Sequence, residues 1–236
     1  MTRLDSANRV RLKDIVRQLG SLADPVVFIG GVVAELLQIV QVLPRARPTV
    51  DVDGIVGVSS RSDYFRLSEE LRRKGFREDI RVEAHAHRWI APNEEILDLI
   101  PLGHQIGTGN RWDELALESP QIADLDDGIT IKHVNAPIFL AMKWNAFKDR
   151  GDEDWMASRD FEDMVAVVAS RPSIADEVRN AVPEVREYLV QACQTIISTE
   201  DIEGFVFGAL SSSAVADESS RAVAKRFADI GRLRIT

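Results

Sequence analysis

Two aspartates stand two residues apart in Arg47-Pro48-Thr49-Val50-Asp51-Val52-Asp53. In an extended segment, residues i and i+2 share a face, so Asp51 and Asp53 project together while Val50 and Val52 turn the other way. Carboxylates this close repel each other, and an apolar flank makes their burial costlier. A divalent cation removes both problems, and Mg2+ commonly binds one or two carboxylates together with substrate phosphates. Asp-x-Asp alone has little specificity. The preceding Gly30-Gly31 adds to it, because a glycine turn lets backbone N–H groups approach phosphate oxygens. Arg47 and Thr49 stand just before the pair and join Gly30 and Gly31 as candidate nucleotide-binding residues.

Three more charged residues have unusual settings. Asp98 interrupts Ile96-Leu97-Asp98-Leu99-Ile100, where an unpaired carboxylate would be strongly destabilising. It either joins the metal site, the reading preferred here, or pairs with an arginine such as Arg88 across a hairpin. Lys143 has Phe139, Leu140, Ala146 and Phe147 as its helical neighbours. Taken alone, such a lysine is expected to snorkel to solvent, whereas opposite a triphosphate it would neutralise charge on the leaving group. Asp160 opens a further helix, where an acidic residue commonly just complements the helix dipole.

The elements that must position these residues follow from periodicity and punctuation. Residues 4–20 carry apolar positions at helical spacing and end at Gly20. Val26-Val27-Phe28-Ile29 is a short apolar strand stopped by Gly30-Gly31, and Val32 to Val42 has the composition of a helix, giving a strand–Gly-Gly–helix unit whose helix would turn its positive end to a phosphate. Residues 49–56 form a second strand, 62–75 a helix, and 80–90 with 95–102 a hairpin turning at Ala91-Pro92-Asn93-Glu94. Residues 103–128 read as loop plus a short strand, and 129–132 as another strand. Helices are expected over 136–148, 159–170, 173–180, 183–198 and 219–230. The predicted division is therefore 1–132 as an α/β domain and 133–236 as a helical domain.

Composition narrows the function class. The 236 residues carry a net charge of -9, which argues against a broad nucleic-acid-binding surface. The basic stretch from Arg66 to Lys74 is read as a solvated helix face. Cys193 is the single cysteine, so neither an intrachain disulfide nor a thiolate metal cluster is available. No apolar run is long enough to cross a bilayer and the N-terminus lacks the apolar core of a signal peptide, so the expected location is cytoplasmic, with no membrane partner.

The ordered set resembles the nucleotidyltransferase superfamily, in particular its AbiEii-type branch, the toxins of type IV toxin–antitoxin systems. Its pieces are Phe28-Ile29-Gly30-Gly31, Arg47-Pro48-Thr49-Val50-Asp51-Val52-Asp53, Ile96-Leu97-Asp98-Leu99, Leu140-Ala141-Met142-Lys143 and Arg159-Asp160-Phe161-Glu162-Asp163-Met164, spanning about residues 25–168. The resemblance implies an α/β fold with a mixed sheet, flanking helices and a helical C-terminal region. It implies Mg2+ held by Asp51, Asp53 and Asp98, an NTP bound by Gly30, Gly31, Arg47, Thr49 and Lys143, and catalytic roles for Asp51, Asp53, Asp98, Lys143 and Asp160. Asp98 would assist metal binding or deprotonate the acceptor, and Asp160 would position the acceptor or Lys143. The reaction would be attack by an acceptor hydroxyl (of tRNA, a protein or a small molecule) on the α-phosphate, with release of pyrophosphate. A cognate antitoxin would be a partner of such a toxin. In one respect the chain departs from the pattern: many members have Ser where Gly31 stands, which removes a side-chain donor to phosphate.

Two other classes compete. A catalytically inactive relative would keep the fold and bind a nucleotide or a partner. A metal-dependent hydrolase would use His85 and His87, which alternate onto one strand face, but no third ligand stands at motif spacing.

Overall fold

The computed structural model describes residues 6–40, 46–58, 60–81, 87–102, 110–150, 154–210 and 216–235. The chain divides into two compact units, Met1–Val33 with Pro48–Asn135, and Ala34–Arg47 with Ala136–Thr236. The segment 34–47, which the sequence reading places with the α/β half, thus groups with the helices.

The first unit begins with α1 (Ala7–Leu19), capped by the Ser6 side chain, which accepts from Arg9 N–H, and ended at Gly20 with φ +54°. Its apolar stripe buries Leu12, Ile15, Val16 and Leu19, each such side chain contributing about 1.5–3 kcal/mol. The strands β1 (Val26–Ile29), β2 (Asp51–Val56), β3 (Arg77–Glu78), β4 (Arg88–Ile90), β5 (Ile96–Pro101), β6 (Gln121–Asp124) and β7 (Thr130–His133) form a mixed sheet in the order β3-β4-β5-β2-β1-β7-β6. β2 runs antiparallel to β1 and parallel to β5, so the Asp-x-Asp strand lies in the middle of the sheet. Of the hairpin expected over 80–90 and 95–102, the part next to the turn forms between β4 and β5, with Glu94 at φ +68° in its turn; residues 82–86 lie outside the described residues. The helix α2 (Arg61–Arg73) has Ser60 as its N-cap and pairs Arg66 with Asp63, Arg72 with Glu69 and Arg73 with Glu70 along its exposed side.

Two expectations for this unit are corrected. No α-helix follows the Gly30-Gly31 turn among the described residues: a 3-10 turn covers Gly31–Val33, and further on Gln38 N–H returns only three residues, to Glu35 C=O. β-branched Val32 and Val33 are buried there, and tight three-residue turns suit a short connection better than a new helix. No helix dipole therefore stands behind Gly31. The stretch read as loop holds α3 (Asp113–Glu118), whose flanking Trp112 is fully buried. Six residues are too few to show periodicity, so tertiary packing of Trp112 and Ala116 decides this helix.

The second unit consists of α4 (Ala136–Asp149), α5 (Arg159–Ser170), α6 (Ile174–Arg179), α7 (Pro183–Ile197), α8 (Ile202–Ala209) and α9 (Ala216–Gly231). α4 is buried around most of its circumference, as expected for a helix lacking a polar face. α5 starts at Ser158, whose hydroxyl accepts from Phe161 N–H, and α7 carries Pro183 in its first turn. Trp144, Phe147, Trp155, Phe161 and Phe205 form a chain of ring contacts with centroids 4.7–6.3 Å apart. The segment 34–47 is tied to these helices by Val40 N–H donating to Ser170 C=O and by Arg171 donating to Leu37 C=O. α8 was not expected from the sequence. Its residues Ile202-Glu203-Gly204-Phe205-Val206-Phe207-Gly208-Ala209 include two glycines, which weigh against a helix locally, while the Asp201 side chain caps it by accepting from Gly204 N–H. Among the described residues no helix is long and apolar enough to cross a membrane.

Candidate functional site

The site in the first unit is built on the registers of three adjacent strands. Ile29 lies opposite Asp53 across β1 and β2, so the glycine turn is brought directly to the second aspartate. Gly30 adopts φ +69°, and a Cβ placed on it would stand 2.0 Å from Asp53 Oδ2. Glycine is required twice over, by the left-handed backbone and by the carboxylate against it. Asp53 also faces Asp98 in the parallel register of β2 and β5. Asp51 lies on the same face, while the intervening Val52 is fully buried on the other.

Asp98 is 6% exposed and is held by an arginine. Arg88, its register partner on β4, donates from Nε to Asp98 Oδ1 at 2.7 Å and from Nη2 to Asp98 Oδ2 at 2.6 Å. The same Nη2 donates to Asp51 Oδ2 at 3.1 Å. This is a two-pronged, charge-assisted contact of the strong kind. The hydrogen bond to Asp98 raises the Arg88 guanidinium further above its ordinary range, against the opposing effect of burial. Both alternatives for Asp98 drawn from the sequence included an interaction that burial demands, and the hairpin supplies the arginine one. Arg88 itself was named there only as a pairing partner, and the signal for its larger role is the cross-strand spacing of positions 88 and 98.

Thr49 leads into β2 and is 7% exposed. Its N–H donates to Asn8 Oδ1 at 2.8 Å and its hydroxyl to Asp51 C=O at 3.0 Å. Arg11 donates both to Thr49 C=O and to Glu95. Contacts from α1 thus pin the strand just before Asp51. His87 Nδ1 lies 3.0 Å from the Tyr64 hydroxyl, and its proposed companion His85 lies outside the described residues.

Lys143, Asp160 and Arg47 belong to the second unit and form a cluster there. Lys143 does not snorkel. At 8% exposure it lies between Asp160 Oδ1 at 3.1 Å and Asp163 Oδ2 at 2.6 Å. Burial by itself would lower the Lys143 ammonium, but Asp163 and Asp160 outweigh it and hold it above its ordinary range. Asp163, quoted in the sequence only as part of a motif, is 1% exposed and also meets Arg47 Nε at 3.3 Å. Arg150 pairs with the other Asp160 oxygen at 3.0 Å. A cavity of about 290 Å³ opens beside this pair, lined by Phe147, Asp154, Ser158 and Arg159 as well as Arg150 and Asp160.

The residues of the first unit suit a divalent cation in part. Asp51 and Asp53 offer hard oxygen donors from one strand, with the Asp53 carboxylate seated against the Gly30 turn. A three-carboxylate cage does not fit, because Arg88 takes both oxygens of Asp98. Among the described residues no group of three or more His, Cys, Asp or Glu side chains is arranged to hold a metal ion.

The mixed sheet bearing this carboxylate face, together with the helical unit, has a nucleotidyltransferase-like fold. An antigenic nucleotidyltransferase-like protein from Paracoccidioides brasiliensis has a solved structure similar to this chain, with a TM-score of 0.54 at 16% identity, covering 85% of this chain and 92% of that one. The structure of JHP933 from Helicobacter pylori matches with a TM-score of 0.49 at 12% identity, over 95% of this chain and 90% of that one. The likeness to the Paracoccidioides protein is one of fold. No protein-family model matches the chain, and neither does any curated protein.

Proposed function

We propose that this protein is a Mg2+-dependent nucleotidyltransferase that moves an NMP from an NTP to an acceptor hydroxyl. The observation that carries this reading is the seating of Asp53 against Gly30, where an added Cβ would stand only 2.0 Å from the carboxylate. That arrangement joins a glycine turn, whose backbone N–H groups are the kind that bind phosphate, with a strand that presents two carboxylates on one face. Asp51 and Asp53 would hold the cation with the nucleotide phosphates. When bound, the cation supplies charge stabilisation at the transferring phosphate. The acceptor oxygen would form a bond to the α-phosphorus as the bond from that phosphorus to the α–β bridging oxygen breaks; the hydroxyl proton would pass to solvent and pyrophosphate would leave. Arg88 donates to one oxygen of Asp51, Oδ2, at 3.1 Å.

Lys143 already has two carboxylates about one ammonium, so the proposal rests on the residues of the first unit. Incubation with each labelled NTP, Mg2+ and a cell lysate should label one class of macromolecule or small molecule, and Asp53→Asn should abolish the labelling. A wild-type protein that labels nothing with any NTP would overturn the reading. The toxin role belongs to the same proposal, and co-expression with the product of a neighbouring gene that relieves growth arrest is its test.

One observation favours a second reading, that of an inactive relative. Arg88 bonds two of the three carboxylates and so offsets part of their charge without a metal. Nucleotide binding without transfer under any metal would select it.

A further inference from the structure

We infer that Arg88 is a resident counter-ion of the carboxylate face, which therefore takes a single divalent cation, on Asp51 and Asp53, while Asp98 positions Arg88 and is not a metal ligand. The inference rests on the cation-binding part of the function proposed above.

Three geometric facts carry it. Arg88 engages both oxygens of Asp98 at 2.7 and 2.6 Å, leaving that carboxylate turned toward the guanidinium. The same guanidinium reaches Asp51 through one contact only, at 3.1 Å, so Asp51 keeps an oxygen for a cation whereas Asp98 has both oxygens engaged. Asp98 is nearly buried, with its side chain 9% exposed, and Asp51 is at 27%; the engaged carboxylate is thus also the less accessible one.

Charge leads to the same count. Three carboxylates less one guanidinium leave two formal negative charges on the face, which one divalent cation balances. A second cation beside Asp98 would lie next to a fixed guanidinium, and like charges at such separations are strongly unfavourable in a partly buried site. Arg88 thereby removes Asp98 from the ligand set and occupies one oxygen of Asp51.

Equilibrium dialysis of the full chain against Mn2+, with metal counted by electron paramagnetic resonance, tests this without any activity measurement. One Mn2+ per chain is expected for the wild type, and none at the same concentration for Asp53→Asn. The paired replacement Arg88→Met with Asp98→Leu removes the counter-ion and its anchor together and avoids burying a lone charge. It should keep one site of equal or tighter affinity, because Arg88 no longer competes for Asp51. If Asp98 were a ligand, the double variant would bind at least about tenfold more weakly, the scale on which metal sites respond even to losses in their surroundings. That loss, or two Mn2+ on the wild type, would overturn the inference and leave the cation-binding reading standing. A wild type that binds no Mn2+ would overturn both.

Discussion

The Asp53 carboxylate lies against Gly30, so that a Cβ at position 30 would stand 2.0 Å from its Oδ2 and 2.8 Å from its Cγ. Gly30→Ala therefore meets two penalties, a side chain at φ +69° and a clash with the neighbouring aspartate. The variant should be less stable by about 1–3 kcal/mol, measurable in urea unfolding. It should also lose cation binding, because relief of the clash requires Asp53 to move. Retained Mn2+ affinity in Gly30→Ala would show that the turn and the carboxylate are independent.

Breaking the Arg88–Asp98 pair differs from replacing it. Arg88→Ala leaves Asp98 in a nearly buried position without its guanidinium, and should cost about 3–5 kcal/mol of stability. Arg88→Met with Asp98→Leu should lie within about 1–2 kcal/mol of the wild type, since no buried charge is stranded. Thermal or urea unfolding of the wild type and these two variants forms the necessary series, and equal losses in the single and double variants would contradict the assignment.

In the second unit, Lys143→Met strands Asp160 and Asp163 among buried neighbours. Arg47 and Arg150 remain in contact with them, so the expected loss is smaller than for an isolated pair, about 2–4 kcal/mol. Asp163→Asn should cost less than Lys143→Met, because Asp160 still faces the ammonium. The reverse order in chemical denaturation would show that Asp163 carries the cluster.

Asp113 gives a pH prediction with a definite sign. It is 3% exposed, its Oδ1 has no hydrogen-bond partner among the described residues, and burial pushes its carboxyl up to about 6. The folded protein thus holds this proton more tightly than the unfolded chain. Its contribution to stability is complete below the ordinary value of 3.8 and is lost as pH rises through about 6. The span corresponds to about 3 kcal/mol. Asp113→Asn keeps an oxygen for Asn110 N–H, which donates to Asp113 Oδ2 at 2.8 Å, and removes the charge. It should be more stable than wild type at pH 8 by about 1–3 kcal/mol and close to it at pH 4. A constant difference between the two across that range would exclude this cause.

Cys193 is buried, and burial pushes its thiol well above the usual range. It should resist alkylation in the native protein and react only after unfolding. Rapid native labelling would show that the region around α7 opens readily.

Local chemistry determined much of this protein. The alternation in Asp51-Val52-Asp53 required both carboxylates on one face, the apolar run before Gly30 required a strand, and the charge inside Ile96-Leu97-Asp98-Leu99-Ile100 required a partner. Those statements depend only on period and burial, which neighbouring residues set. The choice of partner depended on strand order: parallel pairing of β2 with β5 set Asp98 beside Asp53, and the β4–β5 hairpin set Arg88 over Asp98 and Asp51. Likewise Phe139, Leu140 and Phe147 marked an apolar surface around Lys143, but only the packing of α5 on α4 revealed that Asp160 and Asp163 meet its ammonium there. The turn after Gly31 shows the same limit from the other side. Helical composition after Gly31 did not produce an α-helix among the described residues, because burial of Val32 and Val33 outweighs a weak local preference. Periodicity assigns faces; long-range packing decides which charges share them.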